Sequence, residues 1–276
     1  MRWYVRPASV VALARRASYV FVVADRPAPI CIDDIDVDAM AQVLELAARP
    51  ISHDALAEIS SADAIAMLLD LGVLVETTAP SPAPTALTSK RCKRMVLGLT
   101  GSVAVAGALD HVIALADGFA EHIDIVISEG AQAFVVPRVY EYYGFTTWRD
   151  MYAPAHGVAV PHKHLAAAEL VLIAPASATT LQRIASGACS DLLSLVVAMT
   201  TAPVVVAPSM NAQMWRHPPI QRNVAQLRAD GIWVIEPGLG KPVAARGEVG
   251  VGGGAFDIAG LLRGLAAILD QRSAEQ

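Results

Sequence analysis

Two polar loops, each opened by a proline, follow two apolar runs of the chain. Residues 208–215 read Pro-Ser-Met-Asn-Ala-Gln-Met-Trp after the apolar run Ala202 to Ala207, and residues 175–180 read Pro-Ala-Ser-Ala-Thr-Thr after Leu170 to Ala174. An asparagine offers both a donor and an acceptor and can hold a carboxylate without a charge of its own. Small Ser, Ala and Thr residues let backbone N–H groups and hydroxyls approach a flat or phosphorylated ligand. Because ligands of open parallel sheets bind at the carboxyl ends of the strands, the two loops predict one shared site.

A third segment has the character of a phosphate-binding turn. Residues 98–103 read Gly-Leu-Thr-Gly-Ser-Val, end an apolar strand and open a predicted helix, whose free N–H groups suit a phosphate. The segment is neither a full GxGxxG nor a Walker A sequence, which argues against a dinucleotide or a nucleoside triphosphate. A tight turn that needs glycine is the simpler interpretation. Ser128, at the end of the next predicted strand, would add a second hydroxyl and favours the phosphate interpretation.

Two histidines lie shortly before the run Leu170 to Ala174. His162 and His164 flank Lys163, and a histidine near such a site could take or give a proton near neutral pH. A His-x-His pair can also ligate a metal, but no third ligand of suitable spacing is visible, so no metal is predicted. An exposed polar turn is the alternative. The glycine-rich residues 238–254, which include Arg246, are either a lid over a substrate or a disordered connector.

The composition bounds the class of protein. Of 276 residues, 54% are hydrophobic and 17% charged, which excludes a disordered chain and predicts a large core. The net charge of −5 does not favour nucleic-acid binding. The cysteines Cys31, Cys92 and Cys189 have no CxxC spacing, which indicates a reducing compartment. Without a secretory signal or a bilayer-length apolar run, we expect a soluble cytoplasmic protein with no membrane partner.

A Pro/Ser/Thr-rich stretch, residues 77–89, reads as an extended linker and divides the chain. We predict a small domain over 1–76, a linker over 77–93 and a larger domain over 94–272. In the first domain, short strands precede three helices and a final short strand, which is a winged-helix-like α+β order. The predicted strands and helices of that domain are Trp3 to Val5, Val10 to Ala14, Tyr19 to Ala24, a helix capped by Asp36 or Asp38, Ile51 to Ile59, Ser61 to Leu71 and Val73 to Val75.

Strands and helices alternate in the second domain, which predicts an α/β fold with a doubly wound, Rossmann-like (flavodoxin-like) parallel sheet. The predicted strands are Met95 to Leu99, Ile123 to Ser128, Leu170 to Ala174, Val204 to Ala207 and Ile232 to Glu236. The predicted helices are Val103 to Ala116, Ala131 to Tyr142, Leu181 to Ala188, Leu192 to Met199 and Pro219 to Asp230.

These motifs, in this order over residues 94–257, resemble the homo-oligomeric flavin-containing cysteine decarboxylases. The family includes phosphopantothenoylcysteine decarboxylase and the peptidyl-cysteine decarboxylases of lanthipeptide and related pathways. The resemblance implies FMN as the cofactor, a Rossmann-like fold and an assembly of at least a trimer, with a dodecamer as a larger form. It implies cofactor contacts from Gly98, Thr100, Gly101, Ser102, Val103, Ser128, Phe134, Ser177, Ala178, Thr179 and Thr180.

The resemblance also implies roles for the second loop and for one histidine. The Pro-x-Met-Asn-x-x-Met-Trp segment contacts the substrate carboxylate in the family, which points to Met210, Asn211 and Met214, with Arg246 as a further substrate contact. Thr179 stands where the family usually has asparagine, so an amide is lost there. The segment from His162 to Leu165 matches the family's active-site histidine stretch but lies one residue closer to the following strand. His162 is favoured as the catalytic histidine and His164 is the second choice.

One departure from the family pattern bears on the product. Phosphopantothenoylcysteine decarboxylases carry an Ala-Cys-Gly segment whose cysteine reduces the enethiol intermediate, whereas residues 245–247 here read Ala-Arg-Gly. No cysteine follows Cys189, so the resemblance implies a reaction that stops at the enethiol, as on a precursor peptide that ends in cysteine. The first domain resembles peptide-recognition modules of ribosomal-peptide modifying enzymes, and its acidic composition argues against DNA binding.

Three other functions stay open from the sequence. The protein could decarboxylate a small cysteine conjugate such as phosphopantothenoylcysteine, or it could be a non-catalytic flavin-binding regulatory subunit. A flavin prenyltransferase would share a Rossmann-like FMN site, but its pattern lacks the Pro-x-Met-Asn loop.

Overall fold

The computed structural model describes residues 3–5, 10–16, 18–23, 29–33, 35–47, 51–76, 90–236, 239–240, 250–251 and 258–275. Its strands are β1 (Trp3–Val5), β2 (Val11–Arg15), β3 (Ser18–Val22), β4 (Ile30–Ile32), β5 (Ile51–Ser52), β6 (Val75–Glu76), β7 (Cys92–Leu99), β8 (Ala120–Ile127), β9 (Thr146–Trp148), β10 (Leu170–Ala176), β11 (Val204–Pro208), β12 (Trp233–Ile235), β13 (Leu239–Gly240) and β14 (Gly250–Val251).

The α-helices of the described residues are α1 (Val37–Leu46), α2 (His53–Ala57), α3 (Ala62–Asp70), α4 (Ala108–Gly118), α5 (Pro137–Tyr142), α6 (Pro161–Ala166), α7 (Ala178–Ala185), α8 (Leu192–Met199), α9 (Ala212–Trp215), α10 (Pro218–Ala229) and α11 (Ile258–Glu275). Two 3₁₀ helices, η1 (Val103–Gly107) and η2 (Glu129–Ala133), follow β7 and β8. Among these helices, none combines the length and apolarity needed to cross a membrane.

Six parallel strands form the centre of the molecule, in the order β12-β11-β10-β7-β8-β9. The chain moves outward from β7 to β8 and β9, then returns to the other side of β7 and moves outward through β10, β11 and β12. The strand order therefore reverses between β7 and β10. Such a switch point leaves a crevice at the carboxyl ends of the two strands, which is where open α/β sheets bind ligands.

Helices cover both faces of this sheet, because its strands are apolar on both sides. On one face, Leu97 and Ile125 pack against Val112 of α4 and Leu265 of α11. On the other face, the strands pack against Leu165 of α6 and against apolar side chains of α7, α8 and α10. The predicted doubly wound α/β fold is confirmed.

The strands of the first segment continue the large sheet. β2 pairs antiparallel with β12, with Ala14 opposite Val234, and β3 and β4 follow outward to complete nine strands. The helices α1, α2 and α3 pack on one face of this extension. The other described strands of the first segment, β1, β5 and β6, form a separate small sheet. The described part of the first segment therefore shares its sheet with the second, across the predicted boundary at 77–93, most of which lies outside the described residues.

Several predicted elements differ from those observed. The predicted helix over 103–116 is η1 followed by α4, and that over 131–142 is α5 preceded by η2, with Pro137 at the first position of α5. The predicted helix over 51–59 is β5 followed by α2. Seven elements had not been predicted: β4, β9, β13, β14, α6, α9 and α11.

A buried charge network joins the first segment to the end of the parallel sheet. Glu236, just after β12, accepts hydrogen bonds from the guanidinium of Arg228 on α10 and, at 2.9 Å, from the hydroxyl of Tyr19 on β3. Arg228 also lies 3.5 Å from Asp38 on α1. The neighbouring carboxylates, chiefly Glu236, hold the pKa of Arg228 above its ordinary value despite the opposing effect of burial. Both charges of the central pair are therefore compensated inside the protein.

We expect Glu236→Leu to lower the free energy of unfolding by about 3–5 kcal/mol, because removing one partner leaves a buried charge uncompensated. The matched control is Asp270→Leu, which removes the partner of Arg91 in an exposed ion pair and should cost at most about 1 kcal/mol. Urea unfolding followed by circular dichroism measures both. Equal losses in the two variants would contradict the network's structural role.

Candidate functional site

Thr100 connects the two strands that flank the switch point. Its side chain is fully buried, and its hydroxyl donates to the carbonyl of Pro175 at 2.7 Å and accepts from the N–H of Ser177 at 2.7 Å. The loop after β7 and the loop after β10 are thereby held together. Since both hydrogen-bonding directions of this hydroxyl are occupied inside the protein, Thr100 positions the crevice and does not present its side chain to a ligand.

Ser209 connects the loop after β11 to the loops after β7 and β10. Its N–H donates to the carbonyl of Ala176 at 2.9 Å, and its hydroxyl lies 2.9 Å from that of Ser102. The loops after β7, β10 and β11 therefore form one hydrogen-bonded unit. Ser209 was not among the predicted site residues, although its place between Pro208 and Met210 in the strand-end loop was a usable signal.

Glycines allow the loops after β7 and β8 to touch. A Cβ on Gly101 would lie 3.1 Å from the Cα of Gly130, so the two backbones meet where a side chain would intrude. Gly98 has a different role, because a Cβ there would lie 2.7 Å from the side chain of Leu193 on α8. The absence of a side chain at Gly98 therefore lets Leu193 of α8 pack closely against β7.

Two of the predicted site residues are N-caps of α-helices. The hydroxyl of Ser177 accepts from the N–H of Thr180 at 3.3 Å at the start of α7. The Oδ1 of Asn211 accepts from the N–H of Met214 at 2.8 Å at the start of α9. This cap fixes the orientation of the asparagine amide. Because the oxygen is occupied, the NH₂ group of the exposed Asn211 is the part that remains to donate to a ligand.

A cavity of about 750 Å³ adjoins the loop after β8. Ser128 lines it and also caps η2 through its hydroxyl, which accepts from the N–H of Ala131 at 3.3 Å. Trp148, Met151 and Leu193 give the cavity an apolar part. Its volume lies within the range of about 300–1,000 Å³ that is usual for small-molecule sites.

The two candidate histidines have different surroundings on α6. His164 packs against the indole of Trp148, with ring centroids 5.4 Å apart, and burial and the nearby Arg94 lower its pKa. The Nδ1 of His162 is buried and has no hydrogen-bond partner among the described residues. His162 therefore retains a free ring nitrogen, whereas His164 is committed to packing.

The remaining predicted site residues differ in how exposed they are. Phe134, Val103 and Met214 are exposed and could contact a ligand or another subunit, with Phe134 47% exposed. Thr179 is exposed on the first turn of α7, next to the half-buried Ala178, while Thr180 is buried. Met210 packs against the core on the α7 and α10 face. Arg246 lies outside the described residues.

The comparisons with known proteins identify the family and the fold. The family model described as Flavoprotein matches residues 84–258, more than half of the chain, and the chain belongs to this family. The coenzyme A biosynthesis bifunctional protein CoaBC of Mycobacterium tuberculosis is 35% identical over 160 residues, which cover 57% of this chain and 38% of that protein. The chain thus spans about two-fifths of the length of the curated relatives it matches.

Two solved structures show the same fold over two thirds of the chain. The FMN-dependent cysteine decarboxylase SpaF is 32% identical, with a TM-score of 0.54, over 66% of this chain and 97% of that one. A PPC decarboxylase variant complexed with pantothenoylaminoethenethiol is 26% identical, with a TM-score of 0.55, over 66% of this chain and 100% of that one.

We expect Thr100→Val to lower the free energy of unfolding by about 1–3 kcal/mol, because it leaves the carbonyl of Pro175 and the N–H of Ser177 unpaired at constant volume. The same substitution at the exposed Thr201 should change it by less than about 0.5 kcal/mol. Urea unfolding compares the two variants. If they were equally stable, the bridging role of Thr100 would be refuted.

Proposed function

We propose that this member of the Flavoprotein family binds FMN and catalyses the oxidative decarboxylation of a peptide's C-terminal cysteine to an enethiol. The observation that carries the proposal is the union of three strand-end loops at the switch point, with the amide of Asn211 oriented beside them. The likeness to SpaF, an FMN-dependent cysteine decarboxylase, supports the same reaction class.

The donor set at the crevice fits a flavin mononucleotide. The hydroxyls of Ser102, Ser128 and Ser177 and the N–H groups at the start of α7 would hold the phosphate and ribitol. The close approach of Gly101 and Gly130 keeps side chains out of this region. The neighbouring cavity has the apolar wall that an isoalloxazine ring needs, and the exposed Phe134 and Thr179 would complete the contacts.

Asn211 would hold the substrate carboxylate through its NH₂ group. A neutral donor places the carboxylate without stabilising its charge as strongly as an arginine would, which suits a group that must leave as CO₂. Met210 and Met214 would contact the cysteine side, and Arg246 is proposed as a further contact.

The overall change removes CO₂ and two hydrogens from the cysteine and leaves a C=C bond that bears the thiol. When bound, FMN supplies the redox chemistry by accepting the two hydrogens as a hydride and a proton. Oxidation of the Cβ–thiol unit to a thioaldehyde places a C=S group where it can accept the electron pair of the breaking C–CO₂ bond. His162, with its free Nδ1, would move the proton at the sulfur.

The residues after Cys189 favour release of the enethiol. No cysteine follows it in the sequence, so the chain lacks a late thiol that could supply the proton when the C=C bond is reduced. The peptide substrate would come from a ribosomally made precursor of the lanthipeptide type, with the first segment as a recognition region. Since all three cysteines are free thiols, we place the protein in the reducing cytoplasm.

A small cysteine conjugate is the alternative substrate. The CoaBC relatives and the PPC decarboxylase variant favour this alternative. A non-catalytic flavin-binding subunit is the remaining possibility, and it would leave both substrate classes unchanged. Mass spectrometry separates these outcomes, because only the peptide reaction removes one CO₂ and two hydrogens from a peptide.

We further propose a homo-oligomer built from trimers. The segment around α5 exposes several large apolar side chains, including Val136 at 62% and Tyr142 at 81% exposure. Contiguous exposed apolar surface marks an interaction site in a protein. A second copy of the chain would cover it, and sedimentation velocity over a range of concentrations measures the assembly.

We expect Asn211→Asp to lower kcat/KM for a cysteine-ended peptide by about a hundredfold, because it removes a positioned donor and repels the carboxylate. The aspartate keeps an oxygen for the N-cap to Met214, so α9 and bound FMN should be retained. The control is Gln213→Glu, which places the same charge at an exposed position of α9. Normal kcat/KM in Asn211→Asp, or an equal loss in the control, would refute the carboxylate role.

A further inference from the structure

A buried acid anchors the indole of Trp148 at the end of β9. Asp124 on β8 is 1% exposed, and its Oδ1 accepts from the Nε1–H of Trp148 at 2.8 Å. The other carboxylate oxygen of Asp124 accepts from the Nε–H of Arg94 on β7 at 2.8 Å. The side chain of Asp124 therefore has a charged partner on one side and a fixed aromatic donor on the other, and the indole has one orientation.

Two histidines enclose the other sides of the same indole. His156 meets it edge-on, with ring centroids 4.9 Å apart, and its Nε2 lies 2.8 Å from the carbonyl of Thr147. His164 of α6 lies against the indole at 5.4 Å. The contact with His164 joins the anchored indole to a helix that is only six residues long.

The geometry of an α-helix turns this contact into a constraint on His162. Successive residues are separated by about 100° around the axis, so residues two apart point to nearly opposite sides. With His164 held against Trp148, His162 must project from the other side of α6. A rotation of α6 that lost the indole contact would redirect His162 by the same angle.

We propose that Trp148, anchored by Asp124 and Arg94 and packed against His164, is a positioning residue that sets the direction in which His162 points. The inference rests on the proposed function for the role of His162 and adds residues that the family resemblance did not indicate. Trp148 also lines the cavity beside the crevice, but it reaches His162 only through α6, and His164 contributes ring packing rather than proton transfer.

The first test compares two tryptophan variants of the FMN-loaded protein. Trp148→Phe keeps a ring beside His164 and an apolar surface on the cavity wall, but it removes the N–H that anchors the indole. We expect kcat for a cysteine-ended peptide to fall at least about tenfold while KM and FMN content stay unchanged. Trp233→Phe alters a buried tryptophan of β12 and should leave all three at wild-type values. Equal kcat in the two variants would overturn the proposal.

The second test separates packing from proton transfer at His164. His164→Phe preserves a ring against Trp148 and should retain most of kcat, whereas His164→Ala should lose as much as Trp148→Phe. If His164→Phe were as inactive as His164→Ala, the ring-packing role would be wrong.

The third test does not depend on turnover. Diethyl pyrocarbonate modifies neutral imidazoles, and mass spectrometry of proteolytic fragments gives the rate at each histidine. We expect Trp148→Phe and His164→Ala to change the rate at His162 and leave that at the exposed His217 unchanged. An unchanged rate at His162 would overturn the proposal. A wild-type protein that converts no peptide but shows these rate changes would refute the proposed function alone.

Discussion

The crevice of this protein depends on one buried hydroxyl. Thr100 follows β7 and lies at the point where the strand order reverses. Its hydroxyl donates to the carbonyl of Pro175 and accepts from the N–H of Ser177, at the end of β10 and in the loop after it. The backbone pairing of β7 with β10 ends at Gly98 and Ile173, just short of the two loops. The hydroxyl of Thr100 continues the connection into the loops, and Ser209 extends it to the loop after β11.

Helix capping gives the same loops their chemical character. Ser177 and Asn211 each satisfy an N–H of the helix that follows. In Asn211, the cap also decides which end of the amide faces outward. A structural and a functional interpretation of this residue are therefore compatible, because the cap uses the oxygen and leaves the NH₂ group to a ligand.

The sequence predicted the elements correctly where the pattern that indicates them is local. Long apolar strands and a periodic helix such as Leu192–Met199 were predicted with correct or nearly correct bounds, and the strand-end loops were found because proline and small polar residues mark them. Short elements were missed: α6 has six residues and begins at Pro161, too few to show a period. The pairing of β2 with β12 joins distant parts of the chain and leaves no local pattern. The bridging role of Thr100 depends on contacts with residues about 75 positions away, which the spacing of motifs in the sequence does not indicate.

The most direct measurement of the central claim is an anaerobic single turnover of the FMN-loaded protein with a peptide that ends in cysteine. The account predicts loss of the oxidised-flavin absorbance together with a peptide that has lost one CO₂ and two hydrogens. The same peptide with a C-terminal amide should leave the absorbance unchanged, because it offers Asn211 no carboxylate. A protein that takes up no FMN, or an oxidised flavin that persists while the cysteine-ended peptide stays intact, would contradict the account.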